Sequence, residues 1–405
     1  MRTLATALAI ACLALPAAHG ASIFGGTDRF DLDRTDIRTY VAKASAAEGI
    51  APDDLYHLLA KAAPQPKIIE AMQRPAEKVT PWWEYRRRFL TPQRIREGVA
   101  FWQQHRELLD RVAAERGVAP EYIVAILGVE TFYGRITGRF RVLDALATLA
   151  FDYPPRAEFF GRELTSFLLL SREEAVDPFA ALGSYAGAMG APQFMPSSYR
   201  RYAVDGNGDG RRDLFSTWDD VVASVANYFR EHGWQPGGPV LIEATIAADA
   251  QFTLDAKNLE LTDTLDSART KGLTFESPLP GATPVILIPA EGEHAPGVRI
   301  GFANFTTITR YNRSVRYAMA VHDLAQALAG LLGLSRARPR TIARRFLYPR
   351  LGMGQLFDAI ALEIRARGGS ILLGTRVEGL ALEDGRVRAL RTASGELEAR
   401  SFVST

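Results

Sequence analysis

The chain has 405 residues, of which 47% are hydrophobic and 23% are charged. This length allows two or three packed domains, and this composition is typical of a soluble globular protein. The 48 basic and 46 acidic residues leave a net charge of +2, without the strong basic excess of most nucleic-acid-binding proteins, so nucleic acid is not an expected partner.

Residues 1–22 are typical of a secretory signal peptide. Arg2 supplies a positive start, the run Leu4–Pro16 is apolar but too short to span a bilayer, and small residues before Ser22 suit cleavage. The only cysteine, Cys12, lies inside this segment, so the mature protein would have neither a disulfide nor cysteine chemistry. Lipid attachment at Cys12 is the alternative, and it would associate the protein with the outer membrane. The apolar run continues past Cys12, which fits a lipid-attachment motif poorly.

The pattern from Asp36 to about Tyr133 is helical. A helix start is predicted at Asp53, directly after a proline. Thr91 is placed to cap a single long helix that ends at Gly117. The next helix opens with a Pro-Glu pair, and proline suits a first helical turn.

This last helix carries the first candidate for chemistry. Ile123, Ile126 and Leu127 recur at helical spacing, and Glu130 falls on the same apolar stripe. Burial disfavours the charged form of a carboxylic acid, so the pKa of Glu130 should rise toward the range that a general acid needs. The spacing equally allows a structural role, in which a buried Glu130 pairs with Arg135 or another arginine.

Residues 184–199 form a second candidate, a segment that is rich in small, glycine and aromatic residues. Small residues let the backbone approach a ligand closely. Ser184 and Gln193 add hydroxyl and amide groups, and the aromatic rings offer flat faces to sugars. A tight packing turn between two helices is the alternative.

A third group surrounds the start of the last predicted helix of this part, which spans about residues 313–334. Tyr311 and Asn312 precede the helix and Tyr317 lies in its first turns. The group has the composition of a sugar-binding wall. A helix cap followed by packed tyrosines is the alternative, and without other information it is the favoured one.

Residues 205–210 read Asp-Gly-Asn-Gly-Asp-Gly and match the first half of a calcium-binding loop, with oxygen donors at alternate positions and glycine at the sharp turn. The final position, which is Glu in the usual loop, is Ser216. A metal-free turn is the alternative. The predicted Ca²⁺ ligands are Asp205, Asn207, Asp209, the carbonyl of Arg211 and, from the following helix, Asp220, with Asp219 as the alternative.

The residue composition changes twice toward the end of the chain. Residues 241–296 combine glycine, proline and short β-branched runs, which predicts a small β subdomain inserted into the helical body. Residues 335–345 are basic and interrupted by proline, as in a linker. Residues 346–405 predict a partial α/β fragment, with a helix over 353–367 and strands over 376–382 and 386–392 that are joined by an Asp-Gly turn.

Three ordered runs, residues 126–135, 184–199 and 304–317, resemble the lytic murein transglycosylase B family of Gram-negative bacteria. The resemblance covers about residues 30–334. It implies an α+β, mainly helical fold over residues 23–334, with a lysozyme-like catalytic core, a helical domain and the small β subdomain. It also implies a periplasmic enzyme that cleaves the β-1,4 bond between N-acetylmuramic acid and N-acetylglucosamine in peptidoglycan, leaving a 1,6-anhydromuramoyl end.

The resemblance also implies roles for individual residues. Glu130 matches the single catalytic acid and base, no cofactor is needed for catalysis, and the loop at Asp205 matches a structural Ca²⁺ site. The sequence departs from the family at Pro155, where a second arginine is expected, and at Phe159, where a relative has tyrosine. We expect a monomer that binds peptidoglycan glycan strands. The residues that match glycan-cleft positions are Tyr85, Arg156, Ser184, Gln193, Tyr228, Tyr311, Asn312 and Tyr317.

Two other enzymatic or binding hypotheses stay open, a muramidase that uses water and a non-catalytic peptidoglycan-binding protein. The tail is similar to the middle of FAD-dependent amine oxidase-like or phytoene desaturase-like flavoproteins, on residues 348–369, 373–377 and 402–405. Those proteins bind the dinucleotide with a strand followed by a GxGxxG motif, which is absent here. We therefore expect a poorly packed tail that binds no FAD.

Overall fold

The computed structural model describes residues 29–73, 80–248, 250, 254–333, 365–366, 377–383, 386–393 and 395–398. It divides the chain into two units, residues 1–336 and 337–405. The predicted signal peptide, the predicted linker and nearly all of the predicted tail helix lie outside the described residues. In the described part, no helix has both the length and the apolar character needed to cross a membrane.

The first unit is mainly helical. Its described helices are α1 (Thr35–Glu48), α2 (Pro52–Leu59), α3 (Pro66–Gln73), α4 (Trp82–Phe89), α5 (Pro92–Gln104), α6 (Arg106–Arg116), α7 (Pro120–Thr131), α8 (Val142–Phe151), α9 (Ala157–Glu173), α10 (Pro196–Tyr202), α11 (Trp218–Glu231), α12 (Leu265–Thr270), α13 (Ala303–Tyr311) and α14 (Val315–Leu331). Its described strands are β1 (Phe140–Arg141), β2 (Leu182–Gly183), β3 (Leu241–Ile246), β4 (Asp263–Thr264), β5 (Leu273–Thr274), β6 (Pro284–Pro289) and β7 (Val298–Gly301).

The long helix predicted from Thr91 to Gly117 is two helices, α5 and α6. The predicted ends are correct, because the Thr91 side chain accepts from the backbone N–H of Arg94 and Gly117 has a left-handed φ of 71°. The break falls at His105, whose φ of −110° and ψ of 25° depart from helical values. The His105 ring packs 5.4 Å from the ring of Trp218. The change of direction thus lets α6 pack against α11.

Helix α7 is the central helix of the unit. The sequence predicts one apolar stripe, but every residue from Tyr122 to Thr131 is buried. Helices α5, α6, α11 and α14 all pack against it, and a helix that is covered on every side must be apolar on every side. A polar side chain on α7 is therefore enclosed wherever it lies.

The predicted β subdomain is a five-stranded sheet with the order β4-β6-β7-β3-β5, in which all neighbours are antiparallel. Its central strand, β7, lies beyond the predicted boundary at residue 296. All four residues of β7 are buried, so the period-two pattern that marks a half-exposed strand is missing there. Helix α12 packs on β4, β5 and β6.

A buried charge network joins this sheet to the helices. Arg299 on β7 is only 2% exposed and donates to the carboxylates of Asp323 on α14, at 2.9 Å, and Glu243 on β3, at 2.7 Å. Arg86 on α4 donates to the same Asp323 at 2.5 Å. One aspartate therefore holds two arginines from different elements.

The second unit contains a described three-stranded antiparallel sheet with the order β10-β9-β8, formed by β8 (Val377–Glu383), β9 (Arg386–Thr392) and β10 (Gly395–Glu398). The two strands predicted over 376–382 and 386–392 are confirmed. The third strand was not predicted. The turn between the first two strands lies outside the described residues.

Candidate active site

Glu130 lies one residue before the end of α7 and is 7% exposed. Its Oε1 accepts a hydrogen bond from the hydroxyl of Tyr317. Burial raises the pKa of Glu130 to about 7, although the Tyr317 hydroxyl opposes this rise. The alternative pairing with Arg135 is wrong, because Arg135 forms an ion pair with Glu97 instead.

One tyrosine bonds the Glu130 carboxyl, and two others lie within electrostatic range of it. Burial, and secondarily the negative charge of Glu130, raises the pKa values of Tyr311 and Tyr317 well above their ordinary value. The same two causes raise the pKa of Tyr85 to about 12. The structure thus brings these three predicted residues within electrostatic range of Glu130, and each stays a neutral hydrogen-bonding group near neutral pH.

The segment that contains Ser184 is a tight loop held against the chain after α7. Strands β1 and β2 pair at its start, and a Cβ on Gly138 would lie 2.0 Å from the carbonyl oxygen of Gly183. The Ser184 side chain is buried, and its Oγ accepts from the backbone N–H groups of Ala186, at 3.3 Å, and Ala188, at 3.0 Å. Ser184 therefore shapes this loop from within.

Gln193 and Asn312 each present an amide oxygen without a partner. Gln193 has a φ of 54°, and its Nε2 donates to the carbonyls of Thr137, at 3.0 Å, and Gly190, at 2.9 Å. The Oε1 of Gln193 is therefore buried without a hydrogen bond. The Oδ1 of Asn312 is in the same state. In the described part of the chain, they are the only side-chain oxygens in that state. Such a buried acceptor costs about 1–3 kcal/mol unless a ligand fills it.

Tyr228 and Tyr311 form an aromatic wall whose hydroxyl groups are already used. Tyr228 donates to the backbone carbonyl of Arg310 at 2.7 Å, and Tyr311 donates to that of Pro192 at 2.6 Å. Their ring centroids are 4.8 Å apart. These residues can therefore offer ring faces, while the polar contacts are left to the amide oxygens.

Arg156 occupies a separate position. Its guanidinium stacks on the rings of Phe159, at 4.3 Å, and Phe160, at 5.0 Å. Within the described ranges, no hydrogen bond or ion pair joins it to Glu130 or the tyrosines around it. A contact of Arg156 with glycan therefore stays a prediction, and Phe159, at one of the two positions that depart from the family, serves as its stacking partner.

The predicted calcium loop is a turn closed by its own acidic side chains. Asp205 accepts from the backbone N–H groups of Gly208, at 2.7 Å, and Gly210, at 2.8 Å. Asp209 accepts from the N–H of Arg211 at 2.9 Å, and Asn207 donates to Asp209 at 3.0 Å.

Asp220 on α11 is bonded to the backbone of this loop and of the residues that follow it. It is fully buried and accepts from the N–H groups of Gly206, at 2.8 Å, and Asp213, at 2.6 Å. Carboxylate, amide and carbonyl oxygens are the donors that calcium prefers. Among the described residues, however, no three His, Cys, Asp or Glu side chains are gathered as a metal site.

Comparisons with known proteins show the family to which the chain belongs. A family model described as Transglycosylase SLT domain matches residues 33–326, which is well over half of the chain. The chain belongs to this transglycosylase family.

Individual relatives of this transglycosylase are similar over most of their length. Membrane-bound lytic murein transglycosylase B of Escherichia coli K12 is 41% identical over 301 residues, which cover 72% of this chain and 81% of the relative. The structure of the lytic transglycosylase SltB1 of Pseudomonas aeruginosa has 45% identity and a TM-score of 0.71, covering 74% of this chain and 98% of that one.

An Escherichia coli lytic transglycosylase whose structure was solved with calcium has 39% identity and a TM-score of 0.68, covering 76% of this chain and 96% of that one. These similarities confirm the predicted mainly helical α+β fold with a lysozyme-like core. They also confirm the predicted family.

The sequence did not reveal every polar contact around helix α7 of this transglycosylase. Thr131 follows Glu130 directly, is fully buried, and donates to the backbone carbonyl of Ala191 at 2.8 Å. Glu163 on α9 accepts from the N–H and the hydroxyl of Ser197, at 2.9 and 2.7 Å. A polar residue inside an apolar helix was the available signal for Thr131, and no local signal marks its partner.

Proposed function

We propose that this enzyme is a lytic transglycosylase in which Glu130 acts first as general acid and then as general base. The observation that carries this proposal is a buried carboxyl whose pKa is about 7. The two causes of that pKa are burial and the Tyr317 hydroxyl, and neither is a second carboxylate. A retaining glycosidase needs two carboxylates about 5 Å apart, and among the described residues no second carboxylate contributes to the pKa of Glu130, so we infer that the substrate itself supplies the nucleophile.

The proposed reaction balances with one carboxyl group. Protonated Glu130 gives its proton to the glycosidic oxygen, and the C1–oxygen bond breaks. The C6 hydroxyl of the same muramoyl residue then attacks C1, and the Glu130 carboxylate takes the hydroxyl proton. The products are a 1,6-anhydromuramoyl end and a free N-acetylglucosamine hydroxyl, and Glu130 returns to its protonated form. The Tyr317 hydroxyl, by donating to Oε1, stabilises the carboxylate between the two steps.

The unpartnered amide oxygens support sugar binding. Acceptors such as Gln193 Oε1 and Asn312 Oδ1 suit the N–H of an acetamido group or the hydroxyl groups of a sugar ring. The rings of Tyr228 and Tyr311 would pack against sugar faces. We infer that Ser184 keeps the loop shape that the glycan meets. Peptidoglycan strands in the periplasm are the proposed substrate, and the murein relatives support this assignment.

The test of this function is the mass of the products from purified sacculi. We expect muropeptides with 1,6-anhydro ends, which are lighter by one water than the products of hydrolysis. A muramidase would give the heavier products and incorporate heavy oxygen from labelled water. A binding protein would give no soluble product, and either result would overturn the proposal.

We infer that the loop closed by Asp205 and Asp220 binds a structural Ca²⁺ ion. The oxygen-only donor set supports this inference, as does the relative that was solved with calcium. Asp205, Asn207, Asp209, the Arg211 carbonyl and Asp220 would hold the ion. Its proposed role is to neutralise the acidic side chains and hold the turn before α11, outside the catalytic chemistry.

Calcium at a concentration about a hundredfold above its Kd should raise the melting temperature by roughly 5 °C, because it binds only the folded state. Asp205→Asn should abolish most of this rise, as measured by differential scanning fluorimetry with and without a chelator. Asp255→Asn is the matched control, since Asp255 also accepts from a nearby backbone N–H, at 2.8 Å, in an exposed turn. An equal rise in wild type and Asp205→Asn would contradict binding at this loop.

A further inference from the structure

Strained backbone is concentrated beside the catalytic residue. Four non-glycine residues in the described ranges have a positive φ, namely Phe132, Tyr133, Ala175 and Gln193. Phe132 and Tyr133 have φ values of 53° and 61° and follow α7 directly. Such residues cost on the order of 1–3 kcal/mol each and persist only where surrounding contacts hold them. The contacts that hold this turn are therefore informative.

The Thr131 hydroxyl holds two of the strained segments at once. Its Oγ1 accepts from the N–H of Gly134 at 3.0 Å, which closes the turn through Phe132 and Tyr133. It donates to the carbonyl of Ala191 at 2.8 Å, with the carbonyl of Leu127 as a longer second acceptor at 3.3 Å. One buried hydroxyl thus ties the end of the catalytic helix to the loop that carries Gln193.

The three residues before Gln193 are fixed one after another through their carbonyls. Gly190 accepts from the Gln193 Nε2 at 2.9 Å, Ala191 accepts from Thr131, and Pro192 accepts from the Tyr311 hydroxyl at 2.6 Å. The Ala191 contact is the one that comes from α7, the helix of Glu130. It therefore links the position of Glu130 to the position of the unpartnered Gln193 Oε1, while the Gln193 Nε2 bond to the Thr137 carbonyl reaches the segment beyond the end of α7.

We propose that Thr131 is a positioning residue that sets the place of the Gln193 amide oxygen relative to the Glu130 carboxyl. The inference rests on the proposed function, because it assumes that Gln193 meets the glycan. The Thr131 hydroxyl bonds Leu127, Ala191 and Gly134, whereas the hydrogen bond to the Glu130 carboxyl comes from Tyr317. Loss of the Thr131 hydroxyl should therefore weaken glycan binding and leave the titration of Glu130 unchanged.

The test compares Thr131→Val, which keeps the side-chain shape, with Thr131→Ser, which keeps the hydroxyl. Binding of a short N-acetylglucosamine oligomer is measured by calorimetry on full chains that also carry Glu130→Gln, so that no turnover occurs. We expect Thr131→Val to raise the Kd about five- to tenfold, the effect of one hydrogen bond. Thr131→Ser should leave the Kd within about twofold of the value for Glu130→Gln alone.

Kinetics with Glu130 intact provide the readout that a merely structural role would not give. Thr131→Val should raise KM by the same factor as Kd, while the pH midpoint of kcat/KM stays where it is in the wild type. An unchanged Kd, or a shifted pH midpoint with an unchanged KM, would overturn the proposal. The proposal would also be overturned if neither Thr131→Val nor Thr131→Ala folded, because the hydroxyl would then be needed for the stability of the core. The proposed function fails separately, if the wild type releases no anhydro product.

Discussion

Replacing Glu130 with glutamine should lower the rate of anhydro-product release from sacculi by at least about a hundredfold. Proton transfer by a positioned side chain contributes about 10²–10⁴ to a rate, and an amide can neither give nor take the proton. The amide has nearly the same shape, so glycan binding should remain. The measurement is the initial rate of product release by mass spectrometry, with binding followed by cosedimentation with sacculi. A variant that retains more than a few per cent of the rate would contradict the assignment.

Glu121→Gln is the matched control for this substitution. Glu121 lies on the same helix, and burial also raises its pKa. It is nine residues, or about 13 Å along the axis, from Glu130. The control should leave the rate within about threefold of the wild type. A comparable loss in both variants would show that the rate reports the integrity of α7.

Replacing Glu130 with glutamine should also change the free energy of unfolding in a pH-dependent way. Because burial raises the pKa of Glu130 from 4.5 to about 7, the folded state holds the proton more tightly than the unfolded state does. The charged form therefore costs stability that grows between pH 4.5 and 7, to an amount on the order of 3 kcal/mol. Glu130→Gln should remove this cost, so its stability relative to wild type should be higher at pH 8 than at pH 4.5 in urea unfolding. In the wild type, the reaction rate should fall as the pH rises through about 7, because Glu130 then loses the proton that it must donate.

The largest expected effect on stability comes from Asp323→Ala. Burial alone would raise the pKa of Asp323, but the charges of Arg299 and Arg86 lower it to about 2. Removing this carboxylate leaves Arg299, which is 2% exposed, without its main buried partner. Breaking a buried ion pair in this way typically costs about 3–5 kcal/mol. We expect a loss of that size in the free energy of unfolding, measured by urea denaturation.

Glu243→Gln provides the comparison, since Glu243 bonds the same arginine with a side chain that is 49% exposed. Solvent screens such a charge, and its loss should cost less than about 1 kcal/mol. The double replacement Arg299→Met with Asp323→Leu should recover much of the stability lost in Asp323→Ala, because no charge is then buried alone. An Asp323→Ala variant as stable as Glu243→Gln would refute the role of the network.

Local patterns in the sequence determined the features that depend on near neighbours. The cap at Thr91, the end at Gly117 and the burial of Glu130 were all predictable, because capping and helical periodicity involve residues a few positions apart. The break at His105 was not, because its reason is packing against Trp218, more than a hundred residues away.

Only the tertiary structure decided which partners the key side chains have. Glu130 is bonded by Tyr317, 187 residues later, and not by the nearby Arg135, which pairs with Glu97. Thr131 reaches a backbone carbonyl 60 residues away. A buried polar group must find a partner, so the sequence can show that one is required. Which group supplies it depends on how the helices pack, and that arrangement is set by the whole core.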